Sequence, residues 1–142
     1  MRGFTLIEIL LVIGILIILL SLISPFVFDF YKNRQLDSCG QEIIQVLRRA
    51  QLKAMSVEND SSFGVFLGNN SYILFKGESF EKRDIQYDEI YELSKFIKIS
   101  GIQEIVFSKN EGLPSITGTI VLAANGDKRT ITINKIGRIN LE

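Results

Sequence analysis

The chain opens with a long apolar run: from Ile9 to Leu20 it contains only aliphatic residues and one glycine. With its flanks, the segment 4–28 reaches the roughly 20 residues that an α-helix needs to cross a bilayer. A helix that is apolar on every side has no polar face for water, so it needs lipid or other helices around it. The sequence therefore predicts an N-terminal apolar helix and a second part with a core of its own.

Glu8 places a carboxylate at the start of this apolar segment. A charged residue at the centre of a membrane helix is unfavourable by about 2.5–3.5 kcal/mol. A segment that served only as an anchor would insert better without this charge. Glu8 is therefore predicted to have a function that offsets its cost.

Two general kinds of N-terminal segment explain this pattern poorly. A cleaved secretory signal peptide ends in a small-residue cleavage site, and none follows Leu20. A signal anchor would use Arg2 as its positive cytoplasmic flank, but it gives Glu8 no role. A signal-anchored extracytoplasmic binding domain stays open as an alternative.

The residues before the apolar run, RGFTLIE, resemble the processing site of type IV prepilins and type II secretion pseudopilins. The resemblance implies that a prepilin peptidase removes the leader 1–3, cuts between Gly3 and Phe4, and methylates the new amine of Phe4. Glu8 would then pair with the cationic amine of a neighbouring subunit and set the register between subunits. Such a buried pair adds little net stability, but breaking it costs about 3–5 kcal/mol. Pro25 matches a proline that bends the helix in many family members.

The helical pattern continues beyond the apolar segment as an amphipathic half, 29–60. Its apolar residues recur at spacings of three and four, which places them on one face of a helix: Leu36, Cys39, Ile43, Leu47, Ala50 and Ala54. The cluster VENDSS is rich in residues that interrupt helices, so the helix is predicted to end near Ser56–Asp60.

The remainder, 61–142, is predicted to form short strands joined by turns. The predicted strands are Ser62–Leu67, Tyr72–Lys76, Phe96–Ser100, Glu104–Ser108, Thr117–Ala123, Arg129–Asn134 and Ile136–Leu141. The charged stretch Glu78–Lys95 is predicted to be a loop. The residues GNNS between the first two strands predict a hairpin, and Asn125-Gly126 is the strongest hairpin signal in the chain. The expected fold class is α+β. The resemblance implies a pilin fold, in which a long N-terminal helix, half transmembrane and half amphipathic, packs on a C-terminal antiparallel β-sheet domain.

The layout also resembles the GspH/FimT group of minor pilins and pseudopilins, through IVFSKNEG and RTITINKIGRINL as well as the N-terminal motif. Phe107, Gly112 and Gly137-Arg138 match residues often found in that group. The resemblance implies a minor structural subunit of a type II secretion pseudopilus or a type IV pilus. It also implies a single pass through the inner membrane with the β domain extracytoplasmic. The implied partners are the prepilin peptidase, other subunits, the inner-membrane assembly platform and inner-membrane lipid.

Composition argues against several other classes of protein. The 16 basic and 16 acidic residues balance, whereas a dedicated nucleic-acid binder usually has a basic excess. The chain lacks histidine, the commonest general base and neutral metal ligand. Its lone cysteine, Cys39, forms neither an intramolecular disulfide nor a structural zinc site. Without a nucleotide-binding or hydrolase motif, the sequence predicts a protein that is not an enzyme and holds no metal or cofactor.

A local run of cations near the C-terminus leaves a DNA-uptake role open. The run consists of Lys128, Arg129, Lys135 and Arg138. Some FimT-like pilins serve DNA uptake, and phosphate binding needs several cations on one exposed face. The competing interpretation is a solvated hairpin, because Asp127 and Glu142 lie nearby in the sequence.

Overall fold

The computed structural model describes residues 3–56, 60–124 and 126–142, with side chains for all of them except 22–33. In these residues a long helix precedes a series of strands: α1 Leu6–Met55, β1 Phe63–Leu67, β2 Ser71–Lys76, β3 Asp84–Glu92, β4 Lys98–Gly101, β5 Glu104–Phe107, β6 Gly118–Ala124, β7 Asp127–Ile133 and β8 Ile139–Leu141. The chain divides into two compact units, Met1–Arg34 and Gln35–Glu142. The α+β class with antiparallel sheets is confirmed.

Hydrogen bonds fix both ends of α1. At its start, the backbone N–H of Glu8 donates to the hydroxyl of Thr5, the residue before the helix, at 3.4 Å. At its end, the N–H of Asn110 donates at 3.1 Å to the carbonyl of Ala54, which is among those that a helix leaves without a partner. The helix ends at Met55, just before the predicted breaker cluster, of which 57–59 lie outside the described residues.

The first unit contains the N-terminal part of α1. Among the residues whose side chains are described, no helix is both long and apolar enough to cross a membrane. The predicted transmembrane segment 4–28 includes residues 22–28, whose side chains lie outside the described set. The bend predicted at Pro25 falls in the same stretch. The transmembrane half of the helix stays a prediction.

The second unit is built around the later part of α1. All six residues of the predicted apolar stripe are at most 8% exposed, which confirms the stripe. Residues from both sheets meet the helix in one core, and the larger ones are Phe63, Val65, Leu67, Tyr72, Leu74, Ile105, Phe107, Ile120, Leu122, Ile131 and Ile133. Burial stabilises by about 25 cal/mol per Å² of apolar surface, so this core is the main source of the unit's stability.

The described strands form two four-stranded antiparallel sheets. The first has the order β3-β2-β1-β5 and the second the order β4-β6-β7-β8. The hairpins β1–β2 and β6–β7 confirm the two predicted turns. In the second turn Gly126 has a φ of 94°, a conformation that glycine adopts without strain. Asn125, the other residue of that signal, lies outside the described residues.

The prediction of a loop over Glu78–Lys95 is wrong, because this stretch contains β3, a strand of 9 residues. β3 is an outer strand that pairs with β2 on one side. Charged side chains are common on outer strands, where they prevent pairing with other chains. A second correction concerns the strand predicted at Phe96–Ser100: β4 begins two residues later and includes Gly101 as its last residue. β4 and β5 belong to different sheets.

The turn before β3 covers the outer face of the first sheet. The ring of Phe80 stacks on that of Phe66 with centroids 4.0 Å apart, and it meets Phe75 edge-on at 5.7 Å. The guanidinium of Arg83 lies 3.8 Å from the centre of the Phe80 ring and pairs with Asp88 at 2.8 Å. The turn therefore covers part of this face with the ring of Phe80, and the ion pair between Arg83 and Asp88 fixes the turn to β3.

Candidate functional site

The predicted processing site lies in an irregular, open segment before α1. Gly3 is exposed, and a Cβ added to it would meet nothing within 4 Å. Phe4 is 79% exposed. The peptide bond between Gly3 and Phe4 is therefore accessible, as a proteolytic cut requires. The preceding residues Met1 and Arg2 lie outside the described part of the chain.

Glu8 lies in the first turn of α1, and Thr5 and Glu8 have the spacing of a capping box. The N–H of Glu8 donates to the hydroxyl of Thr5 at 3.4 Å and to its carbonyl at 3.1 Å. A carboxylate in the first turn also stabilises a helix through its dipole, by about 0.3–1 kcal/mol at an exposed site. Glu8 therefore has a local role that the sequence analysis missed, although the Thr-x-x-Glu pattern could have revealed it.

Phe4 and Glu8 lie on one exposed apolar surface of the first unit. They line a shallow groove together with Ile9, Val12 and Ile13. Every large apolar side chain from Phe4 to Leu20 is at least 50% exposed. Soluble monomers rarely expose continuous apolar surface on this scale. An apolar helix surface of this kind needs lipid or other apolar helices to cover it.

The four cations of the predicted basic run do not form one patch. Lys128 lies near the start of β7, whereas Lys135 and Arg138 lie beyond its end. At about 3.4 Å per residue, the strand alone separates them by about 17 Å. Arg129 is engaged in an ion pair with Asp37 of α1 at 2.6 Å. The structure therefore does not bring these cations into one compact cluster.

Gln51 of α1 joins two distant turns. Its side-chain amide donates to the carbonyl of Gly112 at 3.0 Å and to that of Gly137 at 3.2 Å. Both glycines have positive φ, 64° and 77°, and a Cβ at Gly112 would lie 2.5 Å from the side chain of Met55. Both glycines match residues of the GspH/FimT resemblance. Gln51 was not predicted, because nothing in the local sequence marks a helix glutamine as their common partner.

A second network links α1 to β3 around Glu89. Its carboxylate accepts hydrogen bonds from Lys53 at 3.0 Å and from Tyr91 at 2.8 Å, and Arg49 pairs with it at 3.1 Å. Burial alone would raise the pKa of Glu89, but these hydrogen bonds and positive charges outweigh burial, so its pKa is lowered. Burial and the hydrogen bond to Glu89 raise the pKa of Tyr91. The network fastens the outer strand to the helix.

Cys39 and Tyr72 are buried in the core beside this network. Burial, with a smaller contribution from Glu42, raises the pKa of the Cys39 thiol to about 11. The thiol is therefore protonated at neutral pH and behaves as a small apolar residue. Burial likewise raises the pKa of Tyr72, whose ring stacks on Tyr91 at 5.1 Å. Within the described residues, no group of three or more His, Cys, Asp or Glu side chains is arranged to hold a metal ion.

Comparison with known proteins gives one informative similarity. The pilin-like protein PilA1 of Thermus thermophilus is 31% identical to this chain over an alignment 157 positions long, which covers 99% of this chain and 98% of that protein. No protein-family model and no solved structure matches the chain.

This similarity extends over almost the whole of both chains, so it includes the N-terminal helix and the β domain alike. The chain therefore belongs to the type IV pilin-like proteins. At the level of the family, it is a structural pilin subunit.

Proposed function

We propose that this chain is a structural subunit of a type IV pilus or a type II secretion pseudopilus and that it assembles through its N-terminal helix. The observation that carries the proposal is the apolar surface of that helix, on which every large side chain from Phe4 to Leu20 is at least half exposed. Such a surface needs lipid before assembly and other helices after it. Membership of the pilin-like family supports the same role.

The subunit first inserts into the inner membrane, with its β domain on the extracytoplasmic side, and meets the assembly platform there. A prepilin peptidase cuts between Gly3 and Phe4 and methylates the new amine of Phe4. The exposure of both residues supports this step, because a protease must reach an extended segment to cut it. The chain acts here as the substrate of an enzyme and has a structural role of its own.

In the assembled filament, the carboxylate of Glu8 pairs with the methylated amine of a neighbouring subunit. Both groups lie in an apolar environment there, and each removes the cost of leaving the other unpaired. Support comes from the groove in which Phe4 and Glu8 lie together among Ile9, Val12 and Ile13. A neighbouring helix that fills this groove would enclose the pair.

The first test is the intact mass and N-terminal sequence of the protein recovered from its native membrane. We expect a chain that begins at Phe4 and carries one added methyl group. A chain that retains Met1 would contradict processing and would favour a signal-anchored domain. Immunodetection in filaments sheared from the cell surface then tests assembly, with an integral membrane protein as the control for contamination.

A further inference from the structure

One side of the second unit carries excess negative charge. The segment 78–95 contains six acidic and three basic residues. Within it, Asp88 pairs with Arg83, and Glu89 is held by Arg49 and Lys53. Four carboxylates remain exposed and outnumber the two exposed cations of the segment: Glu78, Glu81, Asp84 and Glu92 against Lys82 and Lys95.

Exposed apolar side chains accompany these carboxylates. Ile85 is 71% exposed and Ile90 is 66% exposed, both on β3. β3 is an outer strand, so one side of its backbone is free of strand partners among the described residues. We name this surface the acidic edge; it comprises β3 and the turn 77–83 before it.

A groove of opposite charge lies between α1 and the C-terminal turn and strand. It is lined by Arg48, Gln51, Leu52, Gly137, Arg138, Ile139 and Asn140. None of these residues is acidic, and the adjacent turn adds the exposed Lys135. Leu52 is 64% exposed and Ile136 is 74% exposed. We name this surface the basic groove.

The two surfaces lie on different flanks of α1. Arg49 and Lys53 reach the side of β3, whereas Arg48 and Gln51 reach Ile139 and Gly137 on the other side. Successive residues of a helix point about 100° apart, so neighbouring side chains serve different flanks. Because the acidic edge and the basic groove face different ways, they cannot meet within one chain.

We propose that the basic groove of one copy binds the acidic edge of a second copy of this chain. Each surface combines exposed aliphatic side chains with a net charge, and the two net charges have opposite signs. A contact between two different patches is heterologous, and repeating it produces a ring or an open helical filament. Opposite charges would speed association and fix the register of the contact. The proposal rests on the proposed assembly of the chain and adds a contact between β domains to that of the helices.

Disulfide cross-linking in the full-length chain tests the contact. In a Cys39→Ala background, one tagged copy carries Ile136→Cys and a differently tagged copy carries Ile90→Cys. Oxidation of membranes and of sheared filaments should give the mixed dimer only when both copies are present. Lys98→Cys, at an exposed position on β4, replaces Ile136→Cys in the matched control and should give no mixed dimer.

Charge reversal tests the chemistry of the same contact. Lys135→Glu with Arg138→Glu should reduce the mixed dimer about tenfold or more, because like charges then face each other. Glu81→Lys with Glu92→Lys should do the same. A chain with all four changes restores opposite charges on the two surfaces and should recover cross-linking. If the double variants lost cross-linking because they misfold, the chain with all four changes would not recover it.

The outcomes separate this contact from the proposed function. If the wild-type chain is found in sheared filaments but the cysteine pair gives no mixed dimer, the contact is overturned and the filament role stays intact. The mixed dimer in membranes, with no chain in filaments, would support the contact and overturn the filament role. A dimer linked through Ile136→Cys on both copies, or equal yields in the Lys98→Cys control, would overturn the head-to-tail arrangement.

Discussion

Glu8 has one role in the single chain and a second, proposed role in the filament. In the single chain it lies in the first turn of α1, where its N–H is capped by Thr5 and its charge suits the helix dipole. In a filament it would neutralise the amine of a neighbour. The first role stabilises the helix by about 0.3–1 kcal/mol. The second would decide whether the apolar core of a filament contains an unpaired charge.

Glu8→Ala should leave the chain inserted and processed but absent from filaments, because the neighbour's amine loses its partner. Shearing and immunoblotting measure incorporation. Thr5→Ala is the matched control, since it removes the capping hydroxyl and keeps the carboxylate, and it should still be incorporated. Normal incorporation of Glu8→Ala would remove the role given to this carboxylate.

The ionisation of Glu89 makes the free energy of unfolding of the second unit depend on pH. Its folded-state pKa lies below the usual value of 4.5, so the folded chain holds this proton less tightly than the unfolded chain does. The stabilisation that the ionised Glu89 contributes is therefore complete above that usual value. It is lost as the pH falls through the lowered pKa of the folded state.

Glu89→Gln should flatten the dependence of the free energy of unfolding on pH in this range, measured by urea unfolding at a series of pH values. Equal slopes in Glu89→Gln and wild type would contradict the assignment.

At the scale of elements, α1 organises the second unit by binding loops as well as sheets. One glutamine holds the turn at Gly112 and the turn at Gly137, which are far apart in the sequence. Arg48, one turn earlier, donates to the carbonyl of Ile139 at 3.3 Å. The helix therefore positions the C-terminal strand through polar contacts in addition to its apolar stripe.

Gln51→Ala should lower the free energy of unfolding by about 1–3 kcal/mol, because two partly buried carbonyls lose their donor. Urea unfolding of the purified chain in detergent measures this change. Gln45→Ala, at an exposed position on the same helix, should change stability by less than about 0.5 kcal/mol. Equal stability of Gln51→Ala and Gln45→Ala would show that water replaces the amide at no cost.

The element that sequence patterns describe worst is β3. Its charges are typical of a loop, and its register against β2 shifts between Leu74 and Lys76, so no simple alternation marks it as a strand. The segment is a strand because it pairs with β2, where Ile73 lies opposite Ile90 and Tyr72 lies opposite Tyr91. Cross-strand partners lie far along the chain, so a local window does not contain the information that makes this segment a strand.

At the scale of the whole molecule, the described part of the first unit exposes apolar side chains, whereas the second unit has a core of its own. Among the residues whose side chains the structure describes, the buried residues of the hydrophobic core lie between Leu36 and Ile139. From Phe4 to Leu20, the first unit exposes its large apolar side chains instead of burying them. The stability of the fold therefore depends on the second unit, whereas the proposed assembly depends on the first.

A fragment spanning 35–142 should consequently fold without the first unit and unfold cooperatively in urea, followed by circular dichroism. Leu47→Ala should then destabilise it by about 2–5 kcal/mol, because this leucine is completely buried. Lys98→Ala, at an exposed position, serves as the control. The absence of a cooperative transition in the fragment would show that the core needs the N-terminal residues.

Sequence alone determined the features that depend on local order along the chain. The apolar run, the RGFTLIE motif, the helical stripe from Leu36 to Ala54 and the two hairpins follow from residue type and spacing, because helices and tight turns are made by residues close in sequence. Only the tertiary structure decided the pairing of β3, the separation of Lys128 from Lys135, and the meeting of two glycines on Gln51. These depend on which distant segments come together, and the packing of one helix against two sheets determines that.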